Sequence, residues 1–285
     1  MRVLLVLAHF YGASKNSRHS SGDIGKRTAR KEALTSVLRN WRAHFGATAN
    51  LQIDRKEFRE TAGMLDQLDI VVLTTADNHL LDDVTAKQFS VKHVNVSLND
   101  TRMLPFAAHD VMASARSKYD WFVYSEDDLR LSDASFFIKQ TAFQLTYGWR
   151  RVLQPNRYEL NDDGCHLKTY VDGDLRVGLT APYFSSMRDD DYLRLNMGGS
   201  PVALRRALNP HSGFFALTSE QLDYWVRQPH FRDHDCSFVS PLESAATLGI
   251  LKTFAIYKPF SASAGFLEIE HLDTRFSGMK LPVIQ

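Results

Sequence analysis

Residues Tyr119 to Asp133 read YDWFVYSEDDLRLSD: the apolar run Trp121, Phe122, Val123, Tyr124 leads almost directly into Glu126, Asp127 and Asp128. Aromatic and β-branched residues in a short continuous run suit a buried strand. Adjacent carboxylates repel one another unless water or a cation relieves them, so the end of this strand calls for something positive. In open α/β sheets ligands bind at the carboxyl ends of the strands, which makes this junction the first candidate site.

The segments before it alternate between two periodicities. Val3 to His9 and the continuous run Ile70 to Leu73 read as strands covered on both faces, with Asp77 just beyond the second. His93 to Leu98 alternates apolar and polar residues and reads as a further strand. Between them Ala33, Val37, Leu38, Trp41 and Phe45 recur at helical spacing, with Arg30, Arg39 and Arg42 on the polar face, and Leu104 to Ala115 reads as a second helix. The alternation predicts an α/β fold with a mixed, mostly parallel sheet flanked by helices. Ser132 is a candidate N-cap for a helix carrying Phe136, Phe137, Phe143 and Leu145. After it Gly164, Gly173, Gly178, Gly198, Gly199 and Gly213 punctuate short strand-like pieces, so a smaller loop- and strand-rich region is expected over the sheet. No repeat or linker divides residues 1–285, and a single domain is expected.

Composition narrows the function. The chain has 285 residues, 44% hydrophobic and 24% charged, enough for a large core, and its formal charge of +1 argues against a nucleic-acid partner. Charge is uneven, however: Lys15, Arg18, Lys26, Arg27, Arg30, Lys31, Arg39 and Arg42 are opposed only by Asp23 and Glu32, a segment able to meet an anion. Cys165 and Cys236 are too few for a disulfide scaffold and lack zinc-site spacing. The opening MRVLLVLAHFYG is read as a first strand rather than a signal peptide, and no run approaches the roughly 20 apolar residues of a membrane span. A soluble cytoplasmic enzyme is the expectation, with peripheral membrane contact left open.

In an extended segment Glu126 and Asp128 share one side and Asp127 the other, a half-built site for a hard divalent cation completed by water and phosphate oxygens. An acidic turn before a helix explains the same residues without a ligand. Other candidates carry similar alternatives: Arg27 and Arg30 are phosphate forks or a solvated helix face, Asp77 a ligand acceptor or a turn cap, Gly213 a close-approach position or a simple turn. Ser240, Pro241 and Glu243 read as a capping box. His230 and His234 do not form H-E-x-x-H.

YDWFVYSEDDLRL resembles the segment of GT-A glycosyltransferases in which an apolar strand ends in a D-x-D type motif, here Glu126-Asp127-Asp128. The likeness continues through LPFAAHDVMASARSKYD, PHSGFFALTSEQL and FLEIEHLDTRFSG in order along the chain. It implies a GT-A-like fold with a nucleotide-binding part over residues 1–131 and an acceptor-binding part over 132–285. It implies Mn²⁺ or Mg²⁺ held by Asp128, with Glu126 at the metal, its water or the ribose, Asp127 among the cofactor contacts, and a late His271 closing the metal site. Arg27, Arg30 and Arg102 would then face the nucleotide phosphates, Asp77 the base or ribose, and Gly213 the donor sugar. Inverting members place a catalytic carboxylate at a helix start, which the resemblance puts at Glu243, with Asp235 and Asp233 as rivals. The reading is therefore a metal-dependent glycosyltransferase moving a sugar from a nucleotide-sugar donor to a carbohydrate or other hydroxyl acceptor. Two alternatives are a metal-dependent nucleotidyltransferase and a noncatalytic carbohydrate-binding protein using aromatics such as Tyr147, Trp149, Tyr158, Tyr183 and Trp225.

Overall fold

In a computed structural model, residues 1–12, 24–163, 166–176, 180 and 190–279 are described. Cys165, Gly164, Gly178, Tyr183 and most of the glycine-containing basic loop after the first strand lie outside them. β1 (Arg2–Ala8) is buried along nearly its whole length because its alternate residues meet different layers. Val3, Leu5 and Leu7 pack with Leu34, Val37, Leu38 and Trp41 of α1 (Arg27–Phe45). Leu4, Val6 and Ala8 point the other way, into the core that holds Leu104, Ala108 and Met112 of α3 (Leu104–Ala115). Each such side chain, fully buried, stabilises the fold by roughly 1.5–3 kcal/mol.

The central sheet runs β13-β6-β1-β4-β5, with β4 (Gln67–Thr74), β5 (Val91–Asn95), β6 (Trp121–Glu126) and β13 (Phe214–Thr218). β4, β1, β6 and β5 are parallel, and β13 joins antiparallel. The expected mixed, mostly parallel sheet with flanking helices is present. β2 (Thr48–Gln52) and β3 (Glu57–Thr61) form a separate exposed hairpin, and α2 (Asp83–Gln88) precedes β5.

Beyond β6 the chain builds two four-stranded sheets. One has the order β10-β9-β15-β7, from β7 (Leu129–Arg130), β9 (Asn156–Leu160), β10 (Lys168–Tyr170) and β15 (Glu268–His271). The other has the order β11-β12-β14-β8, from β8 (Arg151–Leu153), β11 (Tyr192–Met197), β12 (Ser200–Arg206) and β14 (Ala255–Pro259). α4 (Phe136–Tyr147), α5 (Ser219–Val226) and α6 (Pro241–Leu251) complete the elements used below. Among the described residues no helix is long and apolar enough to cross a membrane.

Several local expectations need correction. α4 starts at Phe136 with Ser135 at its N-cap, not Ser132, because Asp133 accepts the Ser135 amide in a preceding turn. Arg42 is not a solvated face residue: its guanidinium donates to the carbonyls of Phe89, Leu68 and Ser90, fastening α1 to the ends of neighbouring elements. Trp225 is 1% exposed and meets His109 and Phe215 at its ring edges, so it belongs to the core.

Candidate active site

A cavity of about 970 Å³ opens at the carboxyl ends of β1 and β6. Ala8, Glu126, Asp127 and Asp128 at the strand ends form its floor, Arg157, Asp172 and His211 a wall beside Glu126, and Arg30, Arg102, Glu243 and His271 also line it. The strand register explains the floor, since Ala8 of β1 lies opposite Glu126 of β6 and the residues that follow both strands emerge together.

The strand ends at Glu126, so the two-sided alternation predicted for the acidic residues does not continue through Asp127 and Asp128. The turn instead brings the two aspartates under one guanidinium. Arg30 Nη2 reaches Asp127 Oδ1 at 2.6 Å and Arg30 Nη1 reaches Asp128 Oδ2 at 2.5 Å. This fork is the positive partner that the sequence demanded, and Asp127 followed by Asp128 keeps Arg30 firmly protonated against the effect of burial. His9, fully buried, holds Asp127 from the other side through Nδ1. Its Nε2 accepts the Leu80 amide at 2.9 Å, so the ring proton lies on Nδ1 and is donated to Asp127. Burial would raise the Asp127 pKa, but Arg30 and His9 reverse it and hold the carboxyl well below the usual range. Asp127 is thus an internal anchor.

Glu126, its neighbour, goes the opposite way. Burial, then the nearby Asp128 and Glu243, push its pKa up to about 7 against the pull of Arg157 and His271. Arg157 Nη1 stands 3.9 Å from Glu126 Oε2 and commits its other nitrogens to Asp172, which also accepts from Lys258 at 3.1 Å. Gly213 makes room for this carboxylate: it adopts φ +60°, and a Cβ there would sit 2.6 Å from Glu126 Oε2. Its carbonyl also accepts the Glu126 amide. Gly213 therefore seats Glu126.

Antiparallel pairing of β15 with β7 places His271 opposite Leu129, next to Asp128. Glu159, fully buried, accepts from His271 Nδ1 at 2.8 Å and from the amides of Phe276 and Ser277. That bond turns His271 Nε2 toward Asp128 Oδ2, 3.7 Å away, the carboxylate–histidine arrangement that orients metal-ligating imidazoles. Burial disfavours the imidazolium, yet the Glu159 bond and the Asp128 charge raise the His271 pKa overall. Glu270, on the other side of the strand, pairs with Arg130 at 2.5 Å.

Glu243 lies in the first turn of α6, but the predicted capping box does not form. Ser240 makes no side-chain cap; its hydroxyl donates to Glu243 Oε2, which orients the carboxylate at the cavity. Asp235 and Asp233 instead share Lys252 at 2.7 Å and do not line the cavity. Arg102 lines it while gripping Asp100 with two nitrogens. Arg27 lies 5.6 Å from the Tyr11 ring centroid, and neither it nor Asp77 reaches the lining. His230 meets Thr253, and His234 packs on Phe106.

Sequence reading missed His9, Arg157, Asp172 and His211. In NRYEL of β9 the charged Arg157 and Glu159 are buried while Tyr158 and Leu160 are more exposed, an inversion of the usual alternation that only the fold reveals. His211 is also buried, Nδ1 meeting Thr247 Oγ1 at 3.1 Å, and burial pushes its pKa down to about 3.

Among the described residues no three His, Cys, Asp or Glu side chains form a complete metal-binding set. What is present is a half-site. Asp128 Oδ1 and Glu126 Oε1 are buried without a hydrogen-bond partner, and His271 Nε2 faces Asp128. Hard cations such as Mg²⁺ are commonly held by one or two carboxylates plus water and substrate phosphates, so the donor set fits such an ion.

No family model and no curated protein matches the sequence. Among solved structures the chain is similar to mannose-1-phosphate geranyltransferase from Thermus thermophilus, at 11% identity and TM-score 0.39, covering 91% of this chain and 74% of that one. It is similar to CMP:2-keto-3-deoxy-manno-octonic acid synthetase complexed with CTP, at 12% identity and TM-score 0.36, covering 90% of each. A third is glucosyl-3-phosphoglycerate synthase from Mycobacterium tuberculosis in complex with Mn²⁺, UDP-glucose and phosphoglyceric acid, at 12% identity and TM-score 0.32, covering 77% of this chain and 57% of that one. At TM-scores this low the likenesses assign no activity to this chain.

Proposed function

We propose that the protein is a metal-dependent glycosyltransferase that moves a sugar from a nucleoside-diphosphate sugar to a hydroxyl acceptor. The observation that carries this reading is the meeting, in one cavity at the strands' carboxyl ends, of the Asp128–His271 half-site with the Ser240-oriented carboxylate of Glu243. Bound by Asp128 and His271 beside Glu126, Mn²⁺ or Mg²⁺ would supply Lewis-acid stabilisation of the leaving diphosphate. Arg30 and Arg102 present guanidinium groups to the cavity, the group best shaped for phosphate oxygens. Glu243 accepts the proton of the acceptor hydroxyl as its oxygen bonds to the anomeric carbon, and the bond from that carbon to the diphosphate breaks with its electron pair leaving on oxygen. Residues 1–131 serve the nucleotide and residues 132–285 the acceptor.

The test is a panel of nucleotide-sugars with Mn²⁺, with and without EDTA, scored for the phosphate-containing product. Sugar transfer or donor hydrolysis releases a nucleoside diphosphate, and EDTA abolishes it. Asp128→Asn lowers the rate by at least about a hundredfold while a cooperative melting transition shows that the variant is still folded. Full activity in EDTA overturns the metal reading, and incorporation of a nucleotide with pyrophosphate release replaces it with nucleotidyl transfer.

A further inference from the structure

We infer that Arg30 is a built-in counter-ion of the metal half-site: it holds Asp127 and Asp128 in the metal-free protein and leaves Asp128 when a divalent cation binds. The inference rests on the metal reading above and adds a moving part to it. The Asp128 oxygen that Arg30 grips, Oδ2, is the same atom that His271 Nε2 faces at 3.7 Å. An ion bonded to both His271 Nε2 and Asp128 Oδ2 would stand beside a guanidinium nitrogen only 2.5 Å from that oxygen. Two cations cannot share one oxygen in a buried site without strong repulsion, and arginine cannot escape it by losing its proton.

The surroundings permit the exchange. Asp127 is held independently by His9, so it stays paired when the fork opens. Arg30 Nε is buried without a hydrogen-bond partner, so part of its donor capacity is unused. Arg30 also lines the cavity, where phosphate oxygens would give the displaced guanidinium a new bidentate partner. Cation and diphosphate then bind cooperatively: the cation frees the arginine, and the diphosphate removes the cation's competitor.

Mn²⁺ binding is measured on the protein alone, with wild type, Arg30→Met, Arg30→Lys and Arg30→Met/Asp128→Asn. Arg30→Met is expected to bind Mn²⁺ at least about tenfold more tightly than wild type, Arg30→Lys falls between them, and adding Asp128→Asn removes the gain. Equal affinity in wild type and Arg30→Met, with binding still dependent on Asp128, overturns the role of Arg30 and leaves the metal site standing. Binding that ignores Asp128 in every variant overturns both. Because Arg30→Met unpairs buried carboxylates and endangers folding, a second measurement uses unaltered protein. Phenylglyoxal modification of Arg30, mapped by peptide mass spectrometry, is expected to accelerate in saturating Mn²⁺; an unchanged rate refutes the displacement.

Discussion

The cavity floor and the wall beside it follow different rules of burial. β1 and β6 bury apolar residues on both faces and release their polar groups, His9 and Glu126 to Asp128, only where the strands stop. β9, which carries the wall residue Arg157, instead buries Arg157 and Glu159 and leaves Tyr158 and Leu160 more exposed. Hydrophobic packing fixes the floor strands, and the carboxylates at their ends are held by Arg30, His9 and the seat at Gly213. The wall is held by ion pairs, whose desolvation is repaid only when every member finds a partner, as in the row from Lys258 through Asp172 to Arg157.

If the floor serves metal and diphosphate while Glu243 on α6 serves proton transfer, Glu243→Gln should show the largest effect. Gln still accepts the Ser240 hydroxyl but takes no proton, so transfer should slow about a hundredfold or more with little change in melting temperature. A wild-type rate would leave Glu243 with a purely structural role and break the contrast.

The contact between α3 and α6 gives the next effect. His109 of α3 is buried and donates Nε2–H to the Ala245 carbonyl of α6 at 3.0 Å, linking α3 to the helix that carries Glu243. Burial pushes its pKa down to about 4, below the unfolded value near 6.5. The unfolded chain therefore binds more protons between these values, and stability is complete above pH 6.5 and falls as the pH drops toward 4. The loss from this residue amounts to about 3 kcal/mol. Urea titrations of wild type and His109→Gln across that window should show a shallower pH dependence in the variant; equal slopes would refute it.

Gly213→Ala sharpens the contrast at the floor. It forces a Cβ against the Glu126 carboxylate at a positive φ, and it should cost about 1–3 kcal/mol in chemical denaturation. Mn²⁺ affinity should fall with it. Stability and affinity equal to wild type would mean that Glu126 needs no seat.

These two rules also decide what could be read before folding. Val3 to His9, Ile70 to Leu73, Leu104 to Ala115 and Trp121 to Tyr124 are recognisable because apolar periodicity reports burial directly, and the observed α3 has the predicted bounds. Arg30, Arg102, the three floor carboxylates, Glu243 and His271 do meet in one cavity, whereas Arg27, Asp77 and Asp235 lie off it. Proximity in sequence to a strand end or helix start cannot tell which side chains reach the cavity: Arg27 and Arg30 lie three residues apart on α1, yet only Arg30 lines it. The acidic triplet misled through a single assumption, that the strand continued past Glu126. Arg157, Asp172 and His211 come from pieces distant in sequence, and only the sheets that join them reveal their company.

The bond from Ser277 to Glu159 spans 118 positions of the chain, and it carries a consequence for the order in which the protein matures. A polypeptide emerging from its amino end can complete β1, α1, β4 and β6, and so possess the acidic floor, while His271 is still unmade. During that interval Asp127 and Asp128 already have Arg30 and His9 for company. The nascent floor thus has its arginine partner from the start, and the late segment, docking on Glu159, adds the imidazole afterwards.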